Sequence, residues 1–364
     1  MLRFFYPVGQ GAFYSECHDS YNVVYDCGEW KKSEKAQKLV EKSFEKGAHI
    51  KCLFISHFDF DHVCLIENLH KNFHVETCVL PVIHDNEKII LQSTYHDENY
   101  SKLENLLFDP HKFFGNNTKV LYVKMADDND YDIEEIRYHK EKVARDPVNI
   151  NNFADGDFIE SGTGIGFYDW VYIPYNKKCQ SRITELKNQF KKMGLDFDRY
   201  KTDLDYVKKN LDNIKKAYKN LTGTINTNSM YLYSGPKKQC AEDYEIKFSM
   251  YGGLGYWYEI GKPGCIYTGD GNLTGIKKIY KDYWKSIGTI QVPHHGSAAS
   301  FNYSFLNKSK KTGEYFLFPA SFGNDNIYGH PAQSVIQNIF KNNSYFIPVT
   351  ENPDSFFVEF IGHK

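Results

Sequence analysis

Short apolar runs, broken by glycine and carboxylates, fill the first 30 residues. Leu2 to Val8 is apolar and aromatic, Gly9-Gln10-Gly11 interrupts it, and Ala12 to Cys17 and Tyr21 to Asp26 follow as two further runs. The pattern predicts paired strands, the last of which stops at Asp26-Cys27-Gly28. Between residues 31 and 48 the apolar positions Ala36, Leu39, Val40 and Phe44 take helical spacing, and Gly47 ends the segment. Lys51 to Ile55 then reads as a buried strand ending at Ser56, Val63 to Leu69 as a helix, and Thr77 to Leu80 as a strand closed by Pro81. Strand, helix and strand in alternation predict a layered α/β fold.

The pattern weakens over 82–150, where a helix over Asn99 to Phe108 and a strand over Lys119 to Val123 stand out and Asp127 to Arg145 is charged without an apolar stripe. His84, His96, His111 and His139 lie here singly and receive no role. Sheet resumes at Phe158-Ile159 and Ile165 to Ile173. The glycines at 162, 164 and 166 precede a strand rather than a helix, which reads as a turn and not as a phosphate loop. From 177 to 223 the period is helical: Ile183, Leu186 and Phe190 share one face, and so do Leu204, Val207, Leu211, Ile214 and Tyr218 after a break at Met193-Gly194. Further strands are expected at 226–233, 243–250 and 255–260 (a hairpin across Gly252-Gly253), 264–270 and 289–292. A helix over 332–341 and two closing strands complete the chain.

Charge changes this picture in one place. The whole chain of 364 residues carries a net −2, which argues neither for nor against nucleic acid, whereas Lys177 to Lys219 holds 13 Lys and Arg against 6 Asp and Glu, a net of +7. The segment reads as an inserted helical hairpin with a basic outer face; the plainer alternative is a solvated lysine-rich surface. Eight cysteines are spread singly with no C-x-x-C pair, and there is no basic-then-apolar leader and no 18-residue apolar run. The expectation is a cytoplasmic protein with reduced thiols and no membrane partner.

The candidate chemistry sits at strand ends. His57, Asp59, Asp61 and His62 follow the strand at 51–55 within six residues, a spacing that lets one tight loop aim imidazoles and carboxylates at one point, as a divalent metal ion requires. Asp270 ends a second strand, and His294-His295-Gly296-Ser297 ends a third. Convergence from several strand ends is what an active site in a layered α/β fold needs. Asp26, also at a strand end, is either a group that steadies a ligand histidine or a turn former.

Taken together, the stretches VGQGAF (8–13), VVYDCG (23–28), SHFDFDH (56–62), NTNSMYLY (226–233), YTGD (267–270), VPHHGS (292–297) and YGHP (328–331) resemble the metallo-β-lactamase fold, and within it the soluble domain of the ComEC competence (DNA-uptake) family. The resemblance implies an αββα sandwich, formed by 1–176 and 224–364 and carrying the 177–223 hairpin as an insertion, with a metal centre at one edge between two sheets. It implies that His57, Asp59, Asp61 and His62 bind metal, that Asp270 bridges two ions and that His294 closes the site. Asn228 and Ser229 fall where other relatives place a third histidine. Three imidazoles and three carboxylates shift the preference from Zn²⁺ towards Mn²⁺, with both remaining open.

The function that follows is a metal-dependent hydrolase. The resemblance favours a nuclease or phosphodiesterase in which two divalent ions make hydroxide available near neutral pH, Asp61 holds metal and attacking water, and His295 or His330 protonates the leaving oxygen, holds the phosphate or merely braces the loop. Lys208, Lys209, Lys215 and Lys216 on the hairpin would contact DNA or RNA. Two alternatives stand beside it. One is a hydrolase of a small ester, lactone or cyclic nucleotide. The other is a hairpin whose apolar face, Leu204, Val207, Leu211 and Ile214, docks an activating protein partner.

Overall fold

Alternation along the strands decides what each sheet faces. In the strand Asn22–Cys27 the side chains of Val23 and Tyr25 enter one apolar cluster while Val24 enters another; Cys52 and Phe54 part from Leu53 in the same way in His49–Phe54, and Leu121 and Val123 from Val120 in Lys119–Val123. Strands buried on both faces read as nearly continuous apolar runs, which is why these segments stand out in the sequence. The computed structural model describes residues 1–97, 101–126, 147–177, 180–220, 229–237, 243–249, 258–259, 261–306 and 315–364.

Two large sheets result, of 11 and 9 strands among the described residues. The first runs from Phe158–Ile159 through Lys119–Val123, Thr77–Pro81, His49–Phe54, Asn22–Cys27, Phe13–Cys17, Leu2–Phe5, Phe357–His363 and Tyr244–Ser249 to Tyr258–Glu259. The second runs from Tyr345–Val349 through Leu317–Ser321, Ile287–Ile290, Gly264–Tyr267, Met230–Pro236, Trp170–Lys177 and Ile165–Phe167 to Val148–Asn149. Phe5, Tyr14, Tyr25, Phe54, Tyr172 and Tyr267 meet between the sheets. Helices cover the outer faces: Glu34–Glu41 and Ile66–Asn72 pack with Val24 and Leu53, and Gln333–Lys341 with Ile266 and Phe318. This is a mixed α/β architecture of two sheets between helices, consistent with the metallo-β-lactamase fold.

The sheets are also joined by buried charge. Arg3 donates from Nε to Glu16 (2.7 Å), from Nη1 to Glu359 (2.7 Å) and from Nη2 to the Pro263 carbonyl (3.0 Å). Glu16 on the first sheet accepts from Tyr172, Ser234 and Tyr267 on the second at 2.8, 2.6 and 2.9 Å. Burial is the strongest single influence and would raise the Glu16 carboxyl, but the Arg3 charge, the charge and hydrogen bond of His18 and the Ser234 hydrogen bond together outweigh it and hold the group well below the usual carboxylate range.

Some expectations change. The helix expected over 63–69 is two short ones, Phe60–Val63 and Ile66–Asn72. The hairpin expected over 177–223 is instead four helices, Gln180–Lys192, Phe197–Thr202, Leu204–Lys209 and Leu211–Lys219. Asp196 and Asp203 cap two of them by accepting backbone N–H bonds, which starts new helices where the apolar period alone suggested one. Val207 and Ile214 are buried with Ile90, Leu186 and Phe190, so the stripe assigned to a partner protein is turned into the chain's own core, while Leu204 stays 44% exposed. The charged run 127–145 and the turn at Gly252-Gly253 lie outside the described residues. No described helix is long and apolar enough to cross a membrane.

Removing Arg3 strands two buried carboxylates. Arg3→Ala is expected to lower the unfolding free energy by about 3–5 kcal/mol, against about 0–1 kcal/mol for Lys124→Ala at the exposed Glu160 pair, both read from denaturant melts. Because the folded pKa of Glu16 is depressed, its contribution is present above about pH 4.3 and is lost as pH falls towards the folded value. Glu16→Gln should flatten that acid limb.

Candidate metal centre

The carboxyl ends of the parallel strands in both sheets meet at one edge. Asn22–Cys27 and His49–Phe54 deliver Asp26 and the 57–62 loop; Gly264–Tyr267, Ile287–Ile290 and Leu317–Ser321 deliver Asp270, His294-His295 and Ser321. Ser229 enters from the start of Met230–Pro236, which runs antiparallel to Gly264–Tyr267. Asp26, His294 and His295 take left-handed backbone conformations (φ 54°, 48° and 54°). Such non-glycine residues cost roughly 1–3 kcal/mol each and cluster where a site needs them. Here they turn two successive imidazoles, with ring centroids 6.1 Å apart, into the site. Gly28 lies so close to the loop that a Cβ there would sit 2.4 Å from the Asp61 carbonyl oxygen.

Hydrogen bonds fix which nitrogen of each histidine faces inward. Asp26, fully buried, accepts from the Ser56 amide (2.7 Å), the Ser56 hydroxyl (2.6 Å) and His62 Nδ1–H (2.8 Å). The Ser56 hydroxyl proton is thereby committed, so at 2.8 Å from His57 Nδ1 it accepts the Nδ1–H. His295 Nδ1–H donates to the Ser321 carbonyl, which can only accept (2.9 Å). All three Nε2 atoms therefore point to the centre. His57 Nε2 is buried without a hydrogen-bond partner, a costly state for an imidazole unless a cation meets it. The residues fit a divalent metal.

Asp270 lies in the middle. Its Oδ1 is 3.1 Å from His62 Nε2 and 3.9 Å from His295 Nε2, while its Oδ2 is 3.9 Å from His57 Nε2 and 3.6 Å from His294 Nε2. Asp59 reaches His57 Nε2 at 3.5 Å, and Asp61 reaches His295 Nε2 at 3.0 Å. The ligand atoms of His57, His62 and Asp270, and those of Asp61, His62 and His295, form two groups each able to hold an ion. The six residues assigned to metal from the sequence are thus brought together, and His295, assigned to catalysis, joins them with both ring nitrogens engaged. His330 stands outside this set, half-buried, its ring 5.6 Å from that of His294.

Electrostatics match the geometry. Burial works against the ionised Asp61 and Asp270, yet the neighbouring histidines hold both carboxyls below their ordinary value, Asp270 well below. Burial likewise opposes the charged forms of His62 and His295, but Asp270 and Asp26 raise His62, and the Asp61 hydrogen bond and Asp270 raise His295. Metal uptake therefore displaces protons from this cluster.

Of the steadying residues read from the sequence, Asp26 holds Ser56 and His62, and Ser229 Oγ lies 3.3 Å from His57 Nδ1 and accepts the Asp270 amide at 3.0 Å. Asn228 lies outside the described residues. Ser56 and the Ser321 carbonyl were missed. Ser56 adjoins His57 in the motif and was legible there; a backbone carbonyl leaves no mark in the sequence. Lys208, Lys209 and Lys216 are exposed and Lys215 is half-buried.

Adding Mn²⁺ or Zn²⁺ to chelator-stripped protein is expected to raise its melting temperature, since a ligand at 100 times its Kd adds about 2.7 kcal/mol. His62→Ala and Asp270→Asn should abolish the shift, and His295→Ala should weaken it at least as much as His294→Ala.

No curated protein matches the chain. Residues 9–97, which carry Asp26 and the 57–62 loop but neither Asp270 nor the histidine pair, match the model of the metallo-beta-lactamase superfamily, which implies a metal-dependent hydrolase.

Proposed function

We propose that this hydrolase is a phosphodiesterase acting on DNA or RNA. The observation that carries the reading is Asp270, whose two oxygens face separate histidine pairs in the manner of a carboxylate shared by two ions. Bound divalent ions would supply Lewis acidity and lower the pKa of a coordinated water towards neutrality. His57, Asp59 and His294 would be the residues for one ion and Asp61, His62 and His295 those for the other, with Asp270 placed to serve both. Asp26, Ser56, Ser229 and the Ser321 carbonyl keep the imidazoles in the required tautomer. His295, bonded at both nitrogens, has no proton free for a leaving group. Burial, then the adjacent His294 and His295, lowers the His330 pKa, so its neutral ring suits accepting a proton or holding a substrate hydroxyl.

The lysine-rich helices favour nucleic acid over a small ester. Their chain leaves the sheet at Lys177 and returns at Ser229, and both ends lie at the metal edge: Asn176 pairs with Met230, whose amide donates to the Ser56 carbonyl at 2.8 Å. Exposed cations brought beside a phosphodiester site from there would steer and hold a polyanion. A likeness to the competence-family domain supports the same reading, and a cyclic-nucleotide hydrolase remains the second one.

Metal-loaded protein is expected to cleave members of a panel of single- and double-stranded DNA and RNA, and Asp61→Ala, Asp270→Asn and His294→Ala to lose about 10³-fold or more in rate without unfolding. Replacing Lys208, Lys209, Lys215 and Lys216 with Glu should weaken binding and make its salt dependence shallower by up to about 0.9 per lost contact, with metal content unchanged. Cleavage of cyclic nucleotides or lactones alone would favour the small-molecule reading.

A further inference from the structure

Beside the metal centre opens a cavity of about 430 Å³, lined among others by Gln10, Trp30, Lys31, Asp325, Ile327 and Tyr328. That size suits a small ligand or one unit of a larger one. Both of its walls are tied to the metal residues. On one side the Trp30 amide donates to the Gln10 carbonyl (2.7 Å), the Gly28 amide to the Ala12 carbonyl (2.8 Å), and the Ala12 amide to the Asp61 carbonyl (3.1 Å). On the other, the Tyr328 ring stacks on His330 at 6.1 Å and 20°, and His330 lies 5.6 Å from His294.

Three large apolar side chains stay in solvent around this one cavity: Trp30 is 46% exposed, Tyr328 53% and Ile327 87%. The Trp30 and Tyr328 rings meet edge to face, 5.8 Å apart at 82°. A planar ring can therefore lie flat on one while the edge of the other meets it. Asp325 on the lining can accept from an exocyclic amine, and Lys31 and Lys35 can donate to a ring nitrogen or carbonyl, while the Glu351 carboxylate accepts from the Asn324 amide (3.1 Å). The exposed rings are what would draw the base into the cavity, with its phosphate towards the metal side.

We infer that this cavity is a base-binding subsite, which stacks the nucleobase next to the scissile phosphate on Trp30 and Tyr328. The inference rests on the phosphodiesterase reading for its link to cleavage, but base binding is measurable without turnover. A subsite of this kind makes the enzyme selective for base-bearing strands over abasic ones, with little preference among base sequences, because every base has a face to stack.

Calorimetry on metal-loaded protein with AMP and with ribose 5-phosphate tests it. AMP should bind about 10- to 100-fold more tightly, the range of one base on one aromatic platform. Trp30→Ala or Tyr328→Ala should erase most of that difference with ribose 5-phosphate affinity unchanged, and Trp30→Phe should retain it. Equal affinity of the two ligands for the wild type, or a difference that survives both alanine variants, would overturn the subsite. Base-dependent AMP binding without cleavage of any nucleic acid would keep the subsite and sink the phosphodiesterase reading. Equal cleavage of base-bearing and abasic strands would do the reverse.

Discussion

The Asp26 carboxylate is the point on which the site turns. It is fully buried, its backbone is left-handed, and it accepts three hydrogen bonds, two from Ser56 and one from His62. Those bonds fix the start and the end of the 57–62 loop at once. They also commit the Ser56 proton, and this sets the His57 tautomer. One carboxylate therefore orients two imidazoles that it does not need to share a metal with. A buried carboxylate is costly unless paired and fully hydrogen-bonded, and here the charge of His62 and the two Ser56 donors meet it.

The remaining half of the site comes from the other sheet, so the spacing of the two sheets is as important as the loop. Tyr25 donates to the Met230 carbonyl at 2.7 Å, the Met230 amide donates to the Ser56 carbonyl at 2.8 Å, and Asn176 donates from one sheet to the Val123 carbonyl of the other at 3.0 Å and to the carbonyl of Val82, just past the end of Thr77–Pro81, at 3.1 Å. Deeper in the sandwich, Arg3, Glu16 and Glu359 join the same two layers. Unlike apolar packing, these directional bonds resist sliding of one sheet over the other. Sliding by an ångström would open the 3.1 Å contact between His62 and Asp270.

Local features of the sequence carried far. Buried strands show as apolar runs, the 57–62 spacing is confined to one loop, and Asp270 and the histidine pair each stop a strand. What required the folded chain is long-range or leaves no side-chain trace. The first strand, Leu2–Phe5, pairs with the last, Phe357–His363, across almost the whole sequence. The engagement of His295 depends on a carbonyl 26 residues away, which is why the sequence left open whether it protonates a leaving oxygen, holds a phosphate or braces the loop. The helices at 180–219 read as a hairpin because the apolar period was weighed above the caps Asp196 and Asp203. A docking face stood as the alternative for their apolar stripe because the residue it packs on, Ile90, lies about a hundred residues earlier.

The central claim is that two divalent ions share Asp270. Anomalous diffraction from crystals of the protein grown with Mn²⁺ measures this directly. Two peaks about 3.5–4 Å apart, one on each side of Asp270, with His57 and His294 around the first and His62 and His295 around the second, are the predicted result. A single peak that leaves either pair without a metal, or no peak at this edge of the sheets, would contradict the account.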